Sequence, residues 1–141
     1  MDMCSKTLVA VHAAGQRGDS HPTAEPAATA WGLLAAIDLQ GCNRSHLADP
    51  DRIRRFVACV IDAIGMRAHG PLALDRFGDG DLEGWSAMQF IETSSITVHA
   101  DEVSARCFVD VFSCRAFEPA EAARVAVEHL GGTATVRVLE R

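Results

Sequence analysis

The sequence has no surplus of positive charge, no paired-cysteine motif and no long apolar run, and each lack closes off a class of function. Its formal net charge is −6, whereas a nucleic-acid binder needs a basic surface to displace counterions from phosphate. Arg52, Arg54 and Arg55 form the one dense basic cluster, and a solvated helix face accounts for them. The cysteines Cys4, Cys42, Cys59, Cys107 and Cys114 are odd in number and contain no CxxC pair, which fits a reducing compartment rather than a disulfide framework. No apolar stretch approaches the ~20 residues of a membrane span. Residues 8–11 are apolar but preceded only by Lys6, so a secretory signal is not expected. These absences together lead us to expect a cytoplasmic protein with neither a nucleic-acid nor a membrane partner.

What is present suffices for one domain. The 141 residues are 48% hydrophobic and 23% charged, an ordinary globular balance. Residues 1–28 carry Gly15, Gly18, Pro22 and Pro26 without sustained periodicity and read as a mobile tail. His12 and His21 fall in it. Residues 29–141 read as the folded domain.

Within it, residues 30–39 alternate as a strand with both faces partly apolar, closed by a turn at Gly41-Cys42-Asn43. Asp49 as N-cap and Pro50 at the first helical position start a helix. Its stripe is Ile53, Phe56, Val57, Val60, Ile61 and Ile64, with Gly65 as the stop and Cys59 beside the stripe in the core. A weaker strand covers 70–76. The following Gly78-Asp79-Gly80-Asp81 is a turn, because the spacing and terminal glutamate of a calcium loop are missing. Residues 85–92 and 106–114 are strand-like, the latter with period two and abundant β-branched residues. Pro119 opens a second helix ended by Gly131-Gly132, and 133–139 form a last strand. The predicted fold is an α+β two-layer sandwich: an antiparallel sheet with two helices on one face.

The chemistry-bearing residues gather at 86–114. A Ser94–His99 pair suggests an activated nucleophile and Cys114 a thiol acid or nucleophile. No Gly-x-Ser-x-Gly elbow and no orienting acid at diagnostic spacing accompany them. Cys107 and Asp101 add no recognised metal spacing to His99 and Cys114, so no metal site is expected. On one straight strand Ser94 and His99 would face opposite sides; a turn or kink at the polar run Thr93-Ser94-Ser95 could bring them together. Taken singly, each residue is explained by an ordinary half-buried strand or turn.

Taken together, Ser86, Ser94, His99 and Cys114, at separations of eight, five and fifteen residues, resemble the small prokaryotic S-adenosylmethionine decarboxylases, pyruvoyl enzymes made as self-cleaving proenzymes. The run Phe-Val-Asp-Val-Phe-Ser-Cys at 108–114 is similar to that family's strand before its cysteine, and Phe117-Glu118-Pro119 and Gly41-Cys42-Asn43 also fit. The resemblance spans about residues 30–141. It implies cleavage between Thr93 and Ser94, with Ser94 becoming a pyruvoyl group that forms a Schiff base with the substrate amine. It further implies that His99 and Ser86 assist processing, by proton transfer and hydrogen bonding, and that Cys114 is the proton donor. A free thiol titrates at about 8.5, within reach of such work. The resemblance also implies a role in polyamine biosynthesis and a homodimer of paired sheets with the site near the interface.

The chain departs from the family's pattern at Thr93 and Ser95, where the family has glutamate and histidine. Ala100-Asp101-Glu102 stands where it has Trp-Pro-Glu. Phe77 offers an aromatic surface for adenine, with core packing as its competing reading. Glu102 offers an acid for the ribose, with a solvated turn acid as its competing reading. Because the divergence lies in the substrate pocket, arginine or ornithine is the alternative substrate. An uncleaved homologue that binds a ligand or partner is the alternative of another class.

Overall fold

The computed structural model describes residues 30–141; the expected tail, with His12 and His21, lies outside the described residues. Six antiparallel strands form one sheet in the order β2-β3-β4-β5-β1-β6. In chain order these are β1 (Leu33–Gln40), α1 (Arg44–Leu47), α2 (Pro50–Ala63), β2 (Ala68–Phe77), β3 (Gly84–Ile91), β4 (Ser94–Asp101), β5 (Arg106–Ser113), α3 (Pro119–Leu130) and β6 (Thr133–Glu140).

Alternation decides the two faces of the sheet. Ile37, Ile96, Val98, Val109 and Val111 are fully buried or nearly so, beneath Phe56, Val60, Val125 and Leu130 of α2 and α3. The intervening residues form the other face, which none of the helices among the described residues covers. Met88, Phe90 and Phe108 stand exposed there at 46%, 59% and 37%.

Local signals explain the elements. Asp49 accepts from the backbone N–H groups of Asp51 and Arg52 with Pro50 at the first position, satisfying donors the helix start leaves open. Asn43 caps a short helix, α1, that the expected turn did not include, through the N–H of Ser45. In β2 the ladder slips between His69 and Ala73, where Gly70 has φ 72° and Pro71 lacks a donor. Gln89, buried in β3, repairs the slip by donating from Nε2 to the carbonyls of His69 and Gly70 at 3.2 and 3.1 Å.

Two expectations need correcting. The polar run after Ile91 does not interrupt the ladder: Ser94 pairs with Ile91 and Ser95 with Phe90, so the turn is only Glu92-Thr93 and β4 begins at Ser94. Phe77 is not a core residue but is 58% exposed, because its strand ends at the sheet edge with its ring on the uncovered side.

Candidate active site

The Glu92-Thr93 hairpin carries the first group of site residues. A two-residue hairpin loop needs positive φ, which glycine or asparagine adopts easily. Thr93 takes it instead, at φ 72°. For a β-branched residue this is an outlier costing about 1–3 kcal/mol, of the kind that persists where surroundings hold it.

The neighbours of that peptide are specific. The Ser94 hydroxyl donates to the carbonyl oxygen of Thr93. The Cys114 backbone N–H, just past the end of β5, donates to Ser94 Oγ at 3.1 Å. The Cys114 thiol donates to Thr93 Oγ1 at 2.7 Å and lies 3.9 Å from the Thr93 carbonyl oxygen. Register explains the meeting: Ser95 pairs with Phe112, and continuing that count sets Thr93 opposite Cys114 with Ser94 one step along, where the two strands end.

The second group lies towards the other end of β4, on the uncovered face. Ser86 and His99 pair directly across β3 and β4, with Ser86 Oγ 3.1 Å from His99 Nδ1. Phe77, Met88 and Thr97 line a pocket of about 380 Å³ beside them. An adjoining pocket of about 350 Å³ is bounded by Leu82, His99, Arg106 and Phe108. Gly84 permits this close packing, since a Cβ there would lie 2.0 Å from the Ala100 carbonyl oxygen.

Within one chain the structure does not bring the two groups together. Ser94 and His99 sit five residues apart on one unbroken strand, so about 16 Å of backbone separates them and they face opposite sides. No kink closes that gap.

Glu102 lies at the same end as His99, and its carboxylate is taken. Arg76 grips it through both terminal nitrogens at 2.7 and 3.0 Å and holds Glu83 through Nε at 2.7 Å. These bonds push the guanidinium's titration further up, and its plane lies 5.7 Å from the Trp85 ring centre. The sequence carried no signal for this clamp, because its members are 26 and seven residues apart. Asp101 is likewise committed: the N–H of Ser104 and then the Arg106 guanidinium hold its carboxyl below the usual range. Among the described residues no group of three or more His, Cys, Asp and Glu side chains is placed to hold a metal ion. Cys107 is buried, and burial, with Cys42 nearby, pushes its thiol far up, leaving Cys114 as the cysteine at the site.

These features define a two-layer α+β protein whose open sheet face carries an imidazole, with a serine hydroxyl and a thiol meeting at the far end of β4. The chain matches the family model described as S-adenosylmethionine decarboxylase over residues 34–141 and belongs to that family. Among solved structures it is similar in fold to the adenosylmethionine decarboxylase from Aquifex aeolicus VF5, with a TM-score of 0.66 and 19% identity, covering 81% of this chain and 92% of that one. No curated protein matches the chain. The family generally uses a pyruvoyl group. A serine hydroxyl already set on the preceding carbonyl, with a thiol beside it, fits the origin of such a group.

Proposed function

We propose that the chain is a pyruvoyl-dependent S-adenosylmethionine decarboxylase of polyamine biosynthesis, acting in the cytoplasm, that cleaves itself between Thr93 and Ser94. The observation that carries this reading is the contact of Ser94 Oγ with the Thr93 carbonyl, together with the Cys114 N–H on that same oxygen atom of Ser94. Attack of Oγ on the Thr93 carbonyl carbon breaks the C–N bond. The nitrogen takes up a proton and the acyl group moves to oxygen. Loss of the Ser94 α-proton expels the Thr93 carboxylate; hydrolysis of the resulting dehydroalanine releases ammonia and leaves the ketone.

That ketone, once present, supplies an electron sink for the carbanion left by departing CO₂. The remaining work belongs to side chains. The Cys114 N–H fixes Ser94 Oγ, and the thiol stands where it can return a proton to the substrate carbon. Ser86 holds the His99 ring by Nδ1, leaving Nε2 to move a proton during processing. Phe77, exposed beside the pocket, offers its face to adenine.

Because His99 is remote from Ser94 in its own chain, we assign the imidazole that serves Ser94 to a second copy packed on the uncovered face, reaching Ser94 round the end of β4. The exposed Met88, Phe90 and Phe108 support this pairing. A second reading has one specific support: Glu102, the acid expected for a ribose, is held by Arg76. This favours arginine or ornithine as substrate.

Mass spectrometry of the purified protein tests the reading. Two fragments divided at Thr93/Ser94, with the second blocked at its N-terminus, are expected, and Ser94→Ala should stay whole. A wild-type chain still intact after prolonged incubation overturns the proposal. Release of CO₂ from S-adenosylmethionine, but not from arginine or ornithine, is the expected substrate pattern.

A further inference from the structure

Thr93 is an unfavourable residue for the position it holds. Glycine or asparagine would relieve the backbone at φ 72°, yet the chain keeps a β-branched residue there. What threonine adds is a hydroxyl on a side chain with few rotamers. That hydroxyl works in both directions: Oγ1 donates to the Glu92 carbonyl at 2.8 Å and accepts the Cys114 thiol hydrogen at 2.7 Å.

We propose that Thr93 is the positioning residue for Cys114, its hydroxyl anchoring the thiol against the bond to be cut. Resting on the reading of Thr93–Ser94 as the scissile bond, this adds a role to the side chain on the acyl side of that bond. The geometry is a short relay of fixed groups. Glu92 orients the hydroxyl, the hydroxyl takes the S–H, and Sγ is thereby held 3.9 Å from the carbonyl oxygen that Ser94 engages. The opposite end of the thiol's residue is fixed as well, since the Cys114 N–H is committed to Ser94 Oγ. The cysteine is therefore pinned by backbone and side chain to the two residues flanking one peptide bond. A family member with glutamate in place of Thr93 presents a charged, longer group there. In this chain a neutral hydroxyl holds the thiol.

The test compares Thr93→Val, which preserves shape and β-branching but removes the hydroxyl, with Thr93→Ser, which preserves the hydroxyl. In a Ser94→Ala background, where cleavage is not expected, the S–H stretching band of Cys114 is assigned by difference against Cys114→Ala. Thr93→Val should move that band to the higher frequency of a weaker hydrogen bond and speed iodoacetamide labelling of Cys114 at least threefold. Thr93→Ser should restore both. With Ser94 intact, Thr93→Val should slow cleavage about tenfold and Thr93→Ser should return it to near the parent rate. An unchanged band and labelling rate in Thr93→Val overturn the inference, as does slow cleavage that Thr93→Ser fails to rescue. If the band and labelling respond as expected but the parent chain is never cleaved, the thiol anchor is supported and it is the processing reading that falls.

Discussion

At the scale of single residues, the site depends on tolerances that only particular side chains meet. Gly84 opens β3 two residues before Ser86, and a methyl group there would collide with the Ala100 carbonyl, one residue past His99. Because the obstruction is backbone, it cannot rotate aside. Gly84→Ala should therefore cost about 1–3 kcal/mol, seen as a melting temperature several degrees lower, and should spread the two strands where Ser86 meets His99. An unchanged melting temperature would show that the strand ends absorb the methyl freely. Single residues were also where sequence reasoning worked least evenly. The resemblance to the family, not any one residue's setting, marked Ser86, Ser94, His99 and Cys114, and the structure sets Ser86 beside His99 and Ser94 beside Cys114. It gave no hint that Thr93 would touch Cys114, since that contact depends on a backbone angle unusual for threonine. Nor could it show that Arg76 occupies Glu102, a long-range ion pair with no periodic trace.

At the scale of elements, legibility followed the locality of the cause. Helix α2 was readable from Asp49, Pro50 and a single apolar stripe, all within 16 residues. Helix α1 was not, because its four residues have no stripe and its Asn43 cap resembles a turn. The start of β4 was obscured by Ser94 and Ser95, polar residues that pair regularly because one adjoins β5 at its end and the other faces the bare side. The packing of α3 on α2 carries a pH dependence. His129, in the last turn of α3, lies against Phe56 with ring centres 6.1 Å apart. Burial lowers its titration below the ordinary 6.5, with Glu128 opposing and Arg52 and Arg55 assisting. Above that value the ring is neutral in folded and unfolded chains alike. As pH falls through about 6.5 the unfolded chain takes up the proton first, so stability declines until the folded ring also protonates. Urea midpoints should drop between pH 7.5 and 5.5, and His129→Gln should flatten that decline. An equal drop in His129→Gln would place the cause in another group.

At the scale of the whole molecule, the sheet sets a problem that one copy does not solve. Its helix-covered face is closed by Phe56, Val60, Val125 and Leu130, while Met88 and Phe90 remain on the other face beside the strands that carry both halves of the site. The hydroxyl and thiol lie at one end of β4 and the imidazole towards the other. A two-fold axis through the bare face would bury the exposed side chains and bring each chain's His99 to the Thr93–Ser94 end of the other's β4, where it would reach Ser94 round the end of the strand. Placing a carboxylate on that face, as in Met88→Glu, should convert a dimer to a monomer on gel filtration and slow cleavage with it. Complementation separates this arrangement from an intrachain one. His99→Ala alone has the hydroxyl without the imidazole, and Ser94→Ala alone has the reverse, so neither should cleave by itself. Co-expressed with distinguishable tags, the two chains can form mixed dimers in which Ser94→Ala lends its imidazole to its partner. Mass spectrometry should then find fragments divided at Thr93/Ser94 from the His99→Ala chain only. If mixed dimers form and neither chain is cut while the wild type is, the imidazole acts within its own chain, and β4 must bend during processing to carry it there.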